Sequence, residues 1–137
     1  MACTLRAGGK HFDVDGFLSK SKLKPCAIFR RGEPRSSHDA KSKKRTHSGI
    51  NIPVSNASLD NFRRQIRDAV QFLIKNKAEI RKLTQFKGVE GVELDFGTSR
   101  KEDTFILEFL FPAELTALSG NLGVEIRLSS YPVSDDV

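Results

Sequence analysis

Three sets of side chains in this sequence could do chemistry. Glu93 and Asp95 alternate with Val92, Leu94 and Phe96, and Glu108 sits in the next apolar run. Carboxylates gathered on one sheet face can do acid–base work or hold a cation. The plainer reading is a solvated face or pairing with Arg and Lys. Nucleophilic catalysis needs Ser or Cys beside a base. The histidines are His11, His38 and His47, and no Gly-x-Ser-x-Gly elbow occurs. Cys26, after Pro25 at a strand start, reads as a small buried hydrophobe. Cys3 and Cys26 lack CxxC spacing and clustered histidines, against a zinc site or disulfide framework. Gly8-Gly9-Lys10 lacks the other P-loop glycine and the Ser or Thr after the lysine. The expectation is no catalytic residue, no metal and no cofactor.

The third set is cationic. The chain carries a net charge of +6, and residues 30–48 hold seven basic and two acidic residues, which is +5 of it. Arg30, Arg31, Arg35, Lys43, Lys44 and Arg45 are the candidate partner-binding residues, with Gly32 and Pro34 shaping the turn. Seven cations in so short a segment attract acidic surfaces and phosphates alike. No aromatic residue lies within it to stack on bases. Arg30 or Arg31 could instead pair with Glu93, Asp95 or Glu108 and hold the loop's root.

The elements that must position these residues follow from apolar spacing. Cys3, Leu5 and Ala7 alternate as a strand that Gly8-Gly9 ends. Asp13 caps a short helix through about Lys20. Cys26 to Phe29 reads as a second strand, and residues 33–48 as a long basic loop without periodicity. Ile50, Ile52 and Val54 mark a third strand. Leu59, Phe62, Ile66, Ala69, Val70, Leu73 and Ile80 form one stripe of a helix over 59–83, N-capped by Ser58. Residues 92–96 and 105–111 alternate as two strands of a hairpin, with two registers open. Pro112 opens a helix through Leu118 capped by Gly120, and Leu122 to Leu128 is the last strand. The order is β-α-β-β-α-β-β-α-β, a ferredoxin-like split βαβ followed by one more βαβ unit. The expected fold is α+β, with a mixed, mostly antiparallel sheet and one long helix across a face.

A chain of 137 residues is one domain's worth of material, so 1–137 is expected as a single domain. Its 38% apolar and 29% charged residues are ordinary for a globular protein. No apolar run reaches the length of a membrane span. Met1 to Arg6 shows no apolar export signal, and the expected location is the cytoplasm.

Several motifs together resemble a family of small uncharacterised bacterial domain proteins. They are Phe12-Asp13-Val14-Asp15, Arg31-Gly32-Glu33-Pro34, Ser48-Gly49, Leu94-Asp95-Phe96-Gly97 and Leu122-Gly123-Val124-Glu125-Ile126. The resemblance spans nearly the whole chain and implies no activity and no catalytic residues. Some relatives are similar to immunity proteins encoded beside secreted toxins. The leading expectation is a non-enzymatic binding protein, an immunity-type inhibitor whose basic loop meets an acidic surface on a partner protein. One alternative is a nucleic-acid-binding module using that loop plus Arg63, Arg64 and Arg67. Another is an enzyme using the carboxylate face.

Overall fold

The computed structural model describes residues 2–36, 38–101 and 106–133. Its strands are β1 (Cys3–Gly9), β2 (Ala27–Phe29), β3 (Pro34–Ser36), β4 (Asp39–Lys44), β5 (Ser48–Ser55), β6 (Gly91–Lys101) and β7 (Glu125–Val133). Its helices are α1 (Val14–Leu18), α2 (Phe62–Lys75), α3 (Lys77–Gln85) and α4 (Ala113–Leu122). Five strands form one sheet in the order β2-β5-β1-β6-β7, and β3 and β4 pair separately. β5 lies between β1 and β2 and runs antiparallel to both, the split βαβ arrangement. β6 flanks β1 antiparallel. β7 returns through α4 and lies parallel to β6, the added βαβ unit. The fold is therefore α+β on a mixed, mostly antiparallel sheet.

One sheet face carries the core. Leu5, Ile50, Leu94 and Phe96 meet Ala69, Leu73, Ile80, Leu83 and Leu115, all fully buried. At roughly 25 cal/mol per Å² of apolar surface removed from water, this layer is the main stabilising term. Phe12, Phe17 and Phe86 close one end through edge-to-face contacts at 5.4–6.1 Å. Phe62, Phe96 and Phe111 close the other in the same geometry.

The structure corrects five details. Among the described residues, 106–111 form no strand, so the expected hairpin of 92–96 with 105–111 is absent. β6 instead runs through Gly97 to Lys101 and is flanked by β1 and β7. The alternating phenylalanines still work as anchors: Phe109 and Phe111 pack on Phe62 at 4.9 and 5.4 Å. Phe105 and the turn residue Glu102 lie outside the described residues. The single long helix is two, divided at Asn76, whose Nδ2 donates to the Phe72 carbonyl at 3.0 Å. Asn61 caps α2, accepting from the Arg64 N–H, where Ser58 was expected. α4 continues past Gly120 to Leu122, and Gly123 supplies the left-handed cap at φ +76°. Finally, Gly8 and Gly9 belong to β1 and pair with Gly49 and Ser48. Gly49 leaves no room for a side chain there, because a Cβ would lie 2.7 Å from the Ala7 carbonyl oxygen.

Candidate functional site

The basic segment is a two-stranded ribbon. β3 and β4 pair antiparallel, Pro34 opposite Lys44 and Ser36 opposite Asp39. Its strands were illegible as strands because neither has an apolar face. Ser36 N–H donates to Ser42 Oγ at 3.1 Å, and a register shift bends the ribbon between Pro34 and Ser36.

The ribbon's root is fastened by residues the sequence had marked as contacts. Gly32 takes φ +91°, which a side chain would strain, and its N–H donates to the Arg45 carbonyl at 2.9 Å. Arg45 N–H returns a bond to the Glu33 carbonyl at 2.8 Å. The Arg45 guanidinium stacks on Phe29, 4.2 Å from the ring centroid, and donates to the Arg35 carbonyl. Arg31 N–H donates to Ser48 Oγ, and its guanidinium lies 3.4 Å from His11 Nδ1.

Arg30 does not reach the sheet carboxylates. It grips Asp15 through two bonds, at 3.1 and 2.8 Å, a fork that suits a planar guanidinium. This bond holds the Asp15 carboxyl below its ordinary range and raises Arg30. Asp15 entered the sequence reading only within the Phe12-Asp13-Val14-Asp15 motif of the family resemblance, so nothing in the spacing named it as Arg30's partner. The outward cations are different. Arg35, Lys41, Lys43 and Lys44 are all exposed and form no ion pair among the described residues.

The carboxylate face is paired. Asp95 accepts from Arg6 Nε at 3.1 Å and from Ser129 Oγ at 2.7 Å. Glu93 accepts from Arg127 Nε at 2.9 Å, which raises the Arg127 guanidinium. Glu108 is exposed in the irregular 106–111 segment, off the sheet. The expected trio is therefore not assembled. Among the described residues no group of three His, Cys, Asp or Glu is placed to hold a metal. Beside this face, Gly8, Gly9 and Gly91 floor a shallow groove of about 680 Å³. Along its walls Arg127 pairs with Glu93 at 2.9 Å, and His47 Nε2 lies 3.7 Å from Glu90.

Cys26 is exposed, with its thiol 3.4 Å from the Asn51 carbonyl, which corrects its reading as a buried hydrophobe. Cys3 is fully buried. Burial, with a smaller push from Asp95, drives its thiol well above the ordinary range. On α2, Arg64 is taken up by Asp68 at 3.6 Å and Asn56 at 3.0 Å, while Arg63 and Arg67 are exposed. No described helix is long and apolar enough to cross a membrane.

Three residues unmarked by the sequence join the site: Ile28, Phe29 and Ala40. With Pro34, Arg35 and Arg45 they line a cleft of about 410 Å³ between β2 and the ribbon. Only the ribbon's return beside β2 makes neighbours of them.

This is a small α+β protein that carries a stapled basic ribbon beside one edge strand of its sheet. A family model described as "Domain of unknown function (DUF4279)" matches residues 1–133, and the chain belongs to that family. No curated protein and no solved structure matches it.

Proposed function

We propose that the chain is a non-enzymatic binding protein of the bacterial cytoplasm, an immunity-type inhibitor that presents its basic ribbon to an acidic surface on a partner protein. The observation that carries this reading is the division of labour among the ribbon's cations. Arg30 and Arg45 are spent on fastening the root, while Arg35, Lys41, Lys43 and Lys44 face outward without ion-pair partners among the described residues. A held ribbon loses little conformational freedom on binding, and unpaired cations speed encounter with an acidic surface. The inhibitor role, which would work by steric block, draws on the likeness of some relatives in the resembled family to immunity proteins.

The test uses a variant with Lys41, Lys43 and Lys44 all changed to Glu. Immobilised wild-type protein should retain one protein from nuclease-treated bacterial lysate, and the variant should lose it. Equal retention by both forms would sink the reading. Recovery of nucleic acid alone from the same lysate without nuclease would favour the alternative, since a two-stranded ribbon also fits a DNA major groove.

A further inference from the structure

The cleft between β2 and the ribbon has features that outward charge alone does not explain. β2 is an edge strand that pairs with β5 only, among the described residues. Ile28 on it is 37% exposed, a large apolar side chain on an open edge. Pro34 and Ala40 face it from the ribbon, and Arg35 and Arg45 stand on the rim with Glu33 as the one carboxylate. An open edge offers unpaired backbone groups to an incoming strand. Phe29, the one aromatic ring here, is covered by Arg45 and so offers no platform for a base.

Resting on the proposed function above, we infer that this cleft takes an extended acidic segment of the protein partner, added as a strand beside β2. Alternate side chains of such a segment point to opposite faces. Apolar ones would seat against Ile28, Pro34 and Ala40, and carboxylates would meet the outward Arg35, while Arg45 stays on Phe29 as part of the cleft wall. The cleft thus asks for alternation of acidic and apolar residues, where the outer lysines ask only for negative charge.

The experiment is fluorescence anisotropy with short labelled peptides: one alternating glutamate and valine, one alternating glutamate and glycine, and one alternating lysine and valine. The glutamate–valine peptide should bind about tenfold more tightly than the glutamate–glycine one, the difference an apolar seat supplies. The lysine–valine peptide should not bind. Ala40→Trp, at an exposed position, fills the cleft and should erase the preference for valine while leaving the melting temperature unchanged. Lys41→Glu/Lys43→Glu should weaken both acidic peptides alike. Equal binding of the two acidic peptides, or a valine preference that survives Ala40→Trp, overturns the cleft and leaves the charged ribbon standing. Acidic-peptide binding that ignores Lys41→Glu/Lys43→Glu but is lost in Ala40→Trp supports the cleft and counts against the ribbon's outer charge.

Discussion

The Arg45 guanidinium lies over Phe29, 4.2 Å from the ring centroid, joining the residue just after β4 to the last residue of β2. This contact and the paired bonds between Arg45, Gly32 and Glu33 keep the ribbon at a fixed angle to the sheet. A lysine keeps the charge but has no planar face to stack. Arg45→Lys should therefore speed amide exchange at Gly32 and at position 45 while costing about 0.5–1 kcal/mol in global stability, the scale of a cation–π pair that water still reaches. Native-state hydrogen exchange beside a urea melt checks both halves.

The two cysteines should separate cleanly. Only a thiolate reacts readily, and the Cys3 thiol is buried with its ionisation suppressed, whereas Cys26 is exposed. A thiol-reactive dye should label one cysteine in the native protein and both after denaturation. Cys26→Ser should leave the folded protein unlabelled.

Glu79 ties the chain between α1 and β2 to α3. It accepts from Lys22 N–H at 3.1 Å and Ser21 Oγ at 3.0 Å, with Lys82 Nζ at 3.2 Å. The Lys22 N–H, then Lys82, hold its carboxyl below the ordinary glutamate range. A carboxyl lowered on folding stabilises the native state above its unfolded value, and that contribution fades as pH falls through the folded value. Glu79→Gln should lower the melting temperature near neutrality. The gap from wild type should close as pH falls below the ordinary glutamate range. A gap that stays constant with pH would mean the amide's shape, not its missing charge, is responsible.

How far the residues foretold this architecture differs from element to element. Alternation over Cys3, Leu5 and Ala7 and over Val92, Leu94 and Phe96 placed two central strands, because each has one buried face. The same alternation at Phe109 and Phe111 misled. An irregular segment can also set aromatic rings on one side, and here both flanks of β6 were already occupied. The division at Asn76 hid inside a continuous apolar stripe, since a side chain bonding back to Phe72 leaves the periodicity intact. The ribbon escaped notice for the opposite reason, having no apolar face to give a period. The candidate cations were legible by type, but their division into fasteners and free contacts depended on Asp15 and Phe29, which only the folded chain brings to Arg30 and Arg45.

Phe96 is the pivot of the aromatic end, fully buried opposite Leu128 on β7 and in edge-to-face contact with Phe62 and Phe111. Phe96→Ala should cost about 3–5 kcal/mol by urea denaturation, the usual loss for a buried ring that leaves a cavity. Leu128→Ala, at a position 39% exposed, should cost well under half of that.

Asp95 sets a different kind of constraint, on which strands adjoin. Its carboxylate bonds Arg6 on β1 and Ser129 on β7, so one side chain on β6 clasps both neighbours. Its side chain is only 10% exposed against 40% for Arg6, so the two deletions should not be equivalent. Arg6→Met leaves a buried carboxylate with Ser129 as its remaining side-chain partner, and should cost about 1–3 kcal/mol. Asp95→Leu removes the charge that needed pairing and leaves Arg6 free to turn toward water, so it should cost less. The double variant should then be no less stable than Arg6→Met alone, because the penalty of the unpaired carboxylate is gone. A double-mutant cycle by urea denaturation measures this directly, with a coupling of about 0.5–3 kcal/mol expected for residues in contact. Additive effects would mean that the clasp contributes nothing beyond its separate side chains, and that backbone pairing alone holds β1, β6 and β7 in register.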